Sequence, residues 1–209
     1  MSSSHPYSRL QEKLGFEQPL PWTEHWSAAE DFLLLIADHC LAHRPRRILE
    51  CSSGLSTLVL ARCCQLNGRG QVLSLENGEE FARATREHLQ NLGLENQARV
   101  LHAPLEEQEV NGGIFQWYGL PPALPEDMDM LVVDGPPGFL QPLSRYPALP
   151  LLRERLASGC HIFLDDAARE DEKEIARRWQ RENPGLTHHY LDYRRGCSVF
   201  VVNQDSDAL

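Results

Sequence analysis

Two rhythms alternate along this chain: short apolar runs of strand length, and longer stretches whose apolar residues recur at helical spacing. Apolar runs fall at 46–50, 71–75, 98–103, 128–133, 160–164, 186–191 and 197–202. Between them, Leu55, Val59, Cys63 and Leu66 mark one face of a helix that stops at Asn67-Gly68. Phe81, Thr85, Leu89 and Leu92 mark the inward face of another, stopped by Gly93. Residues 145–156 and 168–181 read as two more helices, ended by Ser158-Gly159 and Asn183-Pro184-Gly185. Ahead of the first run, Ser27 and Glu30 form a Ser-x-x-Glu capping box. Trp26, Ala29, Leu33, Ile36, Ala37 and Cys40 then recur as one helical face as far as about residue 42. Alternating strand–helix units predict a parallel sheet with right-handed crossovers. The short link 192–196 makes the last two runs an antiparallel hairpin.

Two segments break the rhythm. Residues 1–25 carry Pro6, Pro19 and Pro21 between the aromatic Tyr7, Phe16 and Trp22, a poor core element. They read equally as a flap over the sheet's ligand edge and as a packed N-terminal arm. The connection 104–127 is longer than compact domains usually tolerate without a functional reason, so a lid is one reading of it. Within it, Trp117 either stacks on a ligand or anchors the loop to the core, and the second reading is favoured.

Composition narrows the class. The 209 residues suffice for one sizeable core, and 42% hydrophobic with 24% charged residues lies in the globular range. A formal net charge of −10 argues against nucleic acid as a partner, because phosphate binding relies on basic patches. No apolar run approaches the ~18 residues of a membrane span, and the first residues show no secretory pattern. Six cysteines are scattered without Cys-x-x-Cys pairs, so buried free thiols in a reducing cytoplasm are expected. Oligomeric state is not encoded visibly, and a homodimer stays open.

The chemistry gathers at strand ends, where open α/β sheets bind their ligands. The first apolar run ends in Glu50, the small-residue turn Cys51-Ser52-Ser53-Gly54 follows, and Ser56 or Thr57 opens the helix. Gly54 can take a backbone conformation closed to other residues, and the helix start presents N–H groups to a negatively charged ligand group. Glu76, 26 positions after Glu50, ends the second run where an acid commonly holds ribose hydroxyls. Ser52 occupies the first glycine position of a dinucleotide fingerprint, and no P-loop Gly-Lys-Ser/Thr exists. A nucleoside without phosphates but with a carboxylate fits, and S-adenosylmethionine (SAM) is one. The fourth run ends in Asp134-Gly135-Pro136-Pro137-Gly138, whose rigid turn presents an acid for chemistry or closes on its own backbone. The fifth ends in Asp165-Asp166, of which one is expected to cap the next helix.

Glu50-Cys51-Ser52-Ser53-Gly54 resembles the first motif of class I SAM-dependent methyltransferases, departing from it at Ser52. The likeness extends over 46–202. Trp117-Tyr118, Asp134-Gly135-Pro136-Pro137-Gly138, Arg145-Tyr146-Pro147-Ala148-Leu149 and the segment 164–172 look like one bacterial subgroup of small-molecule methyltransferases. This resemblance implies an α/β fold: a Rossmann-like, seven-stranded, mostly parallel sheet with a C-terminal antiparallel hairpin and helices on both faces. It implies an N-terminal arm and helix over 1–45, a SAM-dependent methyltransferase domain over 46–203 and a frayed tail over 204–209. Cofactor contacts would come from Glu50, Ser52, Gly54, Ser56, Thr57, Glu76 and Asp134, with an adenine pocket near Ala103 and Pro104. Asp134, Asp165 and Asp166 fall where catechol O-methyltransferase-like enzymes hold Mg²⁺ with two aspartates and an asparagine. Asp166 stands in the asparagine's place, so the metal set is Asp134, Asp165 and Asp166, with Arg145 or Arg169 as the alternative neutraliser. The expected reaction is methylation of a hydroxyl on a small molecule, with Asp134 and Asp165 as catalytic acids. The rivals are a non-catalytic SAM-binding protein and a nicotinamide-dependent reductase, the latter opposed by the missing glycines.

Overall fold

The structure is a computed structural model that describes residues 6–23, 27–122 and 124–203. The expectations placed on Trp26 and on the 204–209 tail lie outside the described residues. Seven strands form one sheet in the order β3-β2-β1-β6-β7-β9-β8. They are β1 (Arg47–Cys51), β2 (Gln71–Glu76), β3 (Ala98–His102), β6 (Met128–Val133), β7 (Leu156–Asp165), β8 (Leu186–Leu191) and β9 (Cys197–Val202). The first five run parallel, and β9 inserts antiparallel between β7 and β8. The expected mostly parallel sheet with a C-terminal hairpin is the fold observed.

Strand pleating divides the core into two layers. Ile48, Met130, Val132 and Phe163 face a cluster built with α2 (Glu30–His43), α3 (Leu55–Asn67) and α4 (Glu79–Asn91). Their neighbours Leu49, Leu131, Val133, Ile162 and Leu164 face the opposite cluster with α5 (Ala148–Leu152) and α6 (Glu170–Glu182). All six cysteines are free and buried. Among the described residues no helix is long and apolar enough to cross a membrane.

The N-terminal segment differs from its reading as a poor core element. It contains α1 (Ser8–Leu14), which buries Tyr7, Leu10, Leu14 and the following Leu20 in the first cluster. Each aliphatic side chain so buried contributes about 1.5–3 kcal/mol, which proline punctuation in the sequence conceals. The packed-arm alternative therefore describes residues 6–20. The Ser27–Glu30 capping box does not form: α2 starts after Ala29 without a side-chain cap. Glu30 Oε1 instead accepts from the Arg9 and Leu10 N–H groups, satisfying the start of α1 across the chain.

With α1 on its outer side, α3 is buried around most of its circumference rather than along one stripe. Arg62 Nε donates to the Leu14 carbonyl at 2.9 Å, tying α1 to it. Leu66, expected inward, lies beyond this cover and is 49% exposed. Phe81, also expected inward, is exposed on α4, where Ala82 takes the core position. The connection 104–127 is not structureless: β4 (Leu105–Val110) and β5 (Gly113–Tyr118) form a separate antiparallel hairpin. Asn111 and Gly112 at its tip take φ of 49° and 78°, the left-handed pair a two-residue hairpin requires. Trp117 is fully buried, as its anchor reading expects.

The helix expected over 145–156 shrinks to α5 and one 3-10 turn (Arg153–Arg155). Pro147 caps α5 and Pro150 sits in its first turn, where a missing N–H costs little. The Ser158-Gly159 stop signal lies inside β7. There Met128 pairs with Leu156 but Met130 with His161, so three extra residues bulge from β7 (161 − 156 against 130 − 128).

Candidate active site

Four strand ends, those of β1, β2, β3 and β6, are stitched together at the carboxyl edge. Ser52 N–H donates to the Leu75 carbonyl at 2.9 Å, Asp134 N–H to the Cys51 carbonyl at 3.2 Å, and Ala103 N–H to the Glu76 carbonyl at 2.7 Å. The β1 turn is strained where it matters: Gly54 has φ 136° and Ser52, standing in a glycine position, has φ 121°. A serine held in such backbone marks a site where the surroundings over-determine the chain. This accounts for the departure at Ser52: it adopts a conformation usually left to glycine.

Glu50 is fully buried, and its Oε2 accepts from Thr57 Oγ1 and Ser74 Oγ, both at 2.6 Å. Thr57 Oγ1 in turn accepts from the Gly54 N–H at 3.1 Å, so one hydroxyl fixes both the acid and the turn. Glu50 Oε1 has no protein partner. Burial pushes the Glu50 pKa up to about 7, opposed by the neighbouring hydroxyls, among them the donors Ser74 and Thr57. Glu76 is 7% exposed, with Oε2 accepting from Ser53 Oγ at 2.8 Å and Oε1 from the Gly78 N–H at 2.9 Å. Its pKa is raised, chiefly by burial. Ser53, Thr85 and Ser74 complete this half. In the sequence Thr85 reads only as an inward position of its helix and Ser53 only as part of the small-residue turn, since lone hydroxyls carry no pattern of their own.

The second half lies on β6 and β7. Asp134, Asp165 and Asp166 each bring a carboxylate oxygen within 4.8 Å of the others, as their strand-end positions predict. Arg145 enters from the turn before α5 and is 3% exposed. Its Nη2 lies 2.9 Å from Asp166 Oδ2 and 3.3 Å from Asp134 Oδ1, and its Nη1 donates to the Asp165 carbonyl at 2.9 Å. Arg169 Nη1 reaches Asp166 Oδ2 at 3.0 Å, and the buried Glu172 Oε1 stands 3.7 Å from Arg145. Asp166 has φ 58° and precedes rather than caps α6. Burial raises the Asp134 pKa to about 6 against the pull of Arg145. Burial, then Asp134 and Asp166, push Asp165 well up, and neither of its oxygens has a hydrogen-bond partner. Burial works against the Arg145 charge, but Asp134, Asp166, Glu172 and Asp165 outweigh it and raise its pKa.

The acid turn leans on the far end of the chain. Ala167 N–H donates to the Gly196 carbonyl at 3.1 Å and Ala168 N–H to the Arg195 carbonyl at 3.0 Å. Gly196 has φ 71°, and a Cβ there would stand 2.4 Å from the Ala168 nitrogen.

The glutamate-bearing turn and the acidic one thus stand side by side at the carboxyl edge of the β3-β2-β1-β6-β7-β9-β8 sheet. A family profile described as a methyltransferase domain matches residues 49–167, more than half of the chain. The chain belongs to that family and is a SAM-dependent methyltransferase. No curated protein matches it. Among solved structures it is similar to an O-methyltransferase from Bacillus cereus in complex with S-adenosylhomocysteine (SAH), at 16% identity, over 97% of this chain and 93% of that one, with a TM-score of 0.66. An SAH-bound methyltransferase from Podospora anserina matches at 14% identity over 95% and 88%, with a TM-score of 0.67. The O-methyltransferase TomG from Streptomyces achromogenes, in complex with SAM, matches at 14% identity over 98% and 100%, with a TM-score of 0.62. At these identities the likeness is one of fold.

Proposed function

We propose that this methyltransferase transfers the methyl group of SAM to a hydroxyl of a small molecule, with Asp134 taking the hydroxyl proton. SAM supplies a methyl already activated on sulfonium, which leaves alignment and proton removal to the protein. Glu76 would hold the ribose hydroxyls, since each of its oxygens has accepted a single hydrogen bond. The strained turn of Ser52 and Gly54, with Ser56 and Thr57 opening α3, would hold the methionine end beside Glu50. Ala103 and Pro104, joined to Glu76 through the backbone, would border adenine. The catalytic unit would span 46–203, against which α1 and α2 pack, and the six buried free thiols favour a reducing cytoplasm.

The observation that carries this reading is Asp134. It sits at the strand end next to the β1 turn, its Oδ1 is occupied by Arg145, and its pKa near 6 leaves it ionised at neutral pH yet basic enough to accept a proton. The O-methyltransferases among its structural neighbours support a hydroxyl acceptor. Carboxylates are chemically suited to Mg²⁺, but a guanidinium already bridges two of the three, so the metal set does not fit and no step is assigned to a metal. Incubation with SAM and a panel of phenols, sugars and other hydroxylated metabolites, read by mass spectrometry, tests the reading. Formation of a methyl ether that Asp134→Asn abolishes is expected. SAM binding without turnover on any hydroxyl would overturn it.

A further inference from the structure

We propose that the Arg145 guanidinium is the built-in cation of this centre, standing where a divalent metal would sit and positioning Asp134 to receive the acceptor's proton. The positioning role rests on the hydroxyl-methylation reading above, whereas the cation role rests on geometry alone.

The guanidinium is fixed from two sides. Nη1 is anchored to the backbone carbonyl of Asp165, and Nη2 bridges Asp166 Oδ2 at 2.9 Å and Asp134 Oδ1 at 3.3 Å. Its planar fork makes these contacts at little cost in ordering, which a lysine's single ammonium cannot reproduce. A Mg²⁺ ion binding the same two carboxylates would need oxygens at about 2.0–2.1 Å in a near-octahedral set that retains several waters. Arg145 Nη2 already lies within hydrogen-bond distance of both, and a nitrogen that carries protons and positive charge repels a cation instead of ligating it. Asp165 and Asp166 are 1% and 3% exposed, so the half-buried Asp134, its side chain 16% exposed, is the one of the three acids that faces an opening. Arg169 adds a second guanidinium at 3.0 Å from Asp166. The two arginines therefore do for the acid cluster what a dication would do: they offset like charges that could not otherwise crowd together.

A consequence for the reaction follows. A hydroxyl bound to a metal becomes acidic by direct coordination. With a guanidinium in that place the proton must leave to a base, and Asp134 Oδ2 is the oxygen that Arg145 leaves unengaged. Arg145 thus acts through Asp134 as a positioning residue, keeping one carboxylate oxygen occupied and the group ionised. The acceptor then has no need of a second, vicinal hydroxyl to chelate an ion.

Titrating Mn²⁺ into the purified protein, followed by electron paramagnetic resonance, tests the cation directly and without turnover. The wild type is expected to leave the free-ion signal intact, and Arg145→Ala, with the place vacated, to take up one equivalent. Stoichiometric Mn²⁺ uptake by the wild type that Asp134→Asn abolishes would overturn the proposal. Should Arg145→Ala fail to fold by circular dichroism, the wild-type titration still decides the point. Arg145→Lys tests the positioning role through the pH profile of kcat/KM on any acceptor the panel yields. Its acid limb is expected to move up by about one pH unit as Asp134 loses part of its cationic support. An unmoved limb would remove the positioning role. If no acceptor is found at all, the hydroxyl reading fails while the Mn²⁺ result stands on its own.

Discussion

The two halves of the carboxyl edge solve one problem, the burial of acids, in opposite ways. At the β1 and β2 ends, Glu50 and Glu76 are met by neutral donors: Thr57, Ser74, Ser53 and the Gly78 N–H. At the β6 and β7 ends, Asp134 and Asp166 are met by Arg145 and Arg169. Burial pushes Glu50 up to about 7 against the pull of its hydroxyl donors, so that it can hold a proton near neutrality. Burial likewise lifts Asp134 to about 6, from its own lower ordinary value, against the pull of Arg145. The first half is suited to accepting and donating hydrogen bonds to a bound nucleoside, the second to holding a charged base. On the proposed reading, a carboxylate would serve binding in one place and proton transfer in the other, according to its partners.

The sharpest way to break this division is Asp134→Asn. Its kcat should fall by roughly 10²–10⁴-fold, the usual worth of a general base, while SAM affinity measured by calorimetry stays near wild type. Equal losses in both would mean that the halves are not separate. Next comes Glu50. Its folded pKa of about 7 lies above the ordinary 4.5, so the folded state holds the proton longer than the unfolded chain. The associated stability is full below about pH 4.5 and is lost as pH rises through about 7, a change of about 3 kcal/mol. Urea unfolding at about pH 5 and about pH 8 should show this fall, and Glu50→Gln should remove the part that Glu50 contributes. The loss that remains is assigned to Asp134, Asp165, Glu76 and Glu172, whose shifts have the same sign.

Glu76→Ala sharpens the comparison from the binding side. SAM should weaken by about 1.5–3 kcal/mol, the cost of hydrogen bonds to a charged group, with kcat at saturating SAM little altered. Unchanged SAM affinity would remove Glu76 from the ribose. The smallest effect belongs outside both halves. Leu66→Ser, at a 49% exposed position, should shift the unfolding free energy by no more than about 0.5 kcal/mol, although its spacing places it on the apolar face of α3. A loss several times larger would restore the one-stripe reading of that helix.

Much of this was legible in the residues because strands and strand ends announce themselves. The five parallel strands, the closing hairpin and the acids Glu50, Glu76, Asp134, Asp165 and Asp166 all stand where apolar runs stop. What stayed hidden depended on distant partners. The α1 helix is short and flanked by prolines, and only its docking on α2 and α3 makes it core. Glu30 looked like a local cap for α2 because its spacing from Ser27 is right, yet it serves α1. The β4–β5 hairpin was disguised by the polar run Glu106-Glu107-Gln108-Glu109, though Asn111-Gly112 is a sound hairpin signal. Arg145 read as the first residue of a helix and, with Arg169, as one of two alternatives to a metal for neutralising the acids, and the structure brings both arginines to them. The role of Arg145 depends on Pro147 delaying that helix, which leaves the side chain free to enter the acids.

The brace between Gly196 and the Ala167-Ala168 turn has a consequence for the order in which the protein is made. Residues 50–104, which carry the glutamate half and the segment bordering it, all leave the ribosome before Asp134 does. The Asp165-Asp166 turn emerges next but has no support until the β8–β9 hairpin tip, about 30 residues later, is translated. At roughly 5–20 residues per second, the acidic half spends a few seconds unframed while its neighbour already exists. The acidic half is thus the part of the edge whose last strut is made latest.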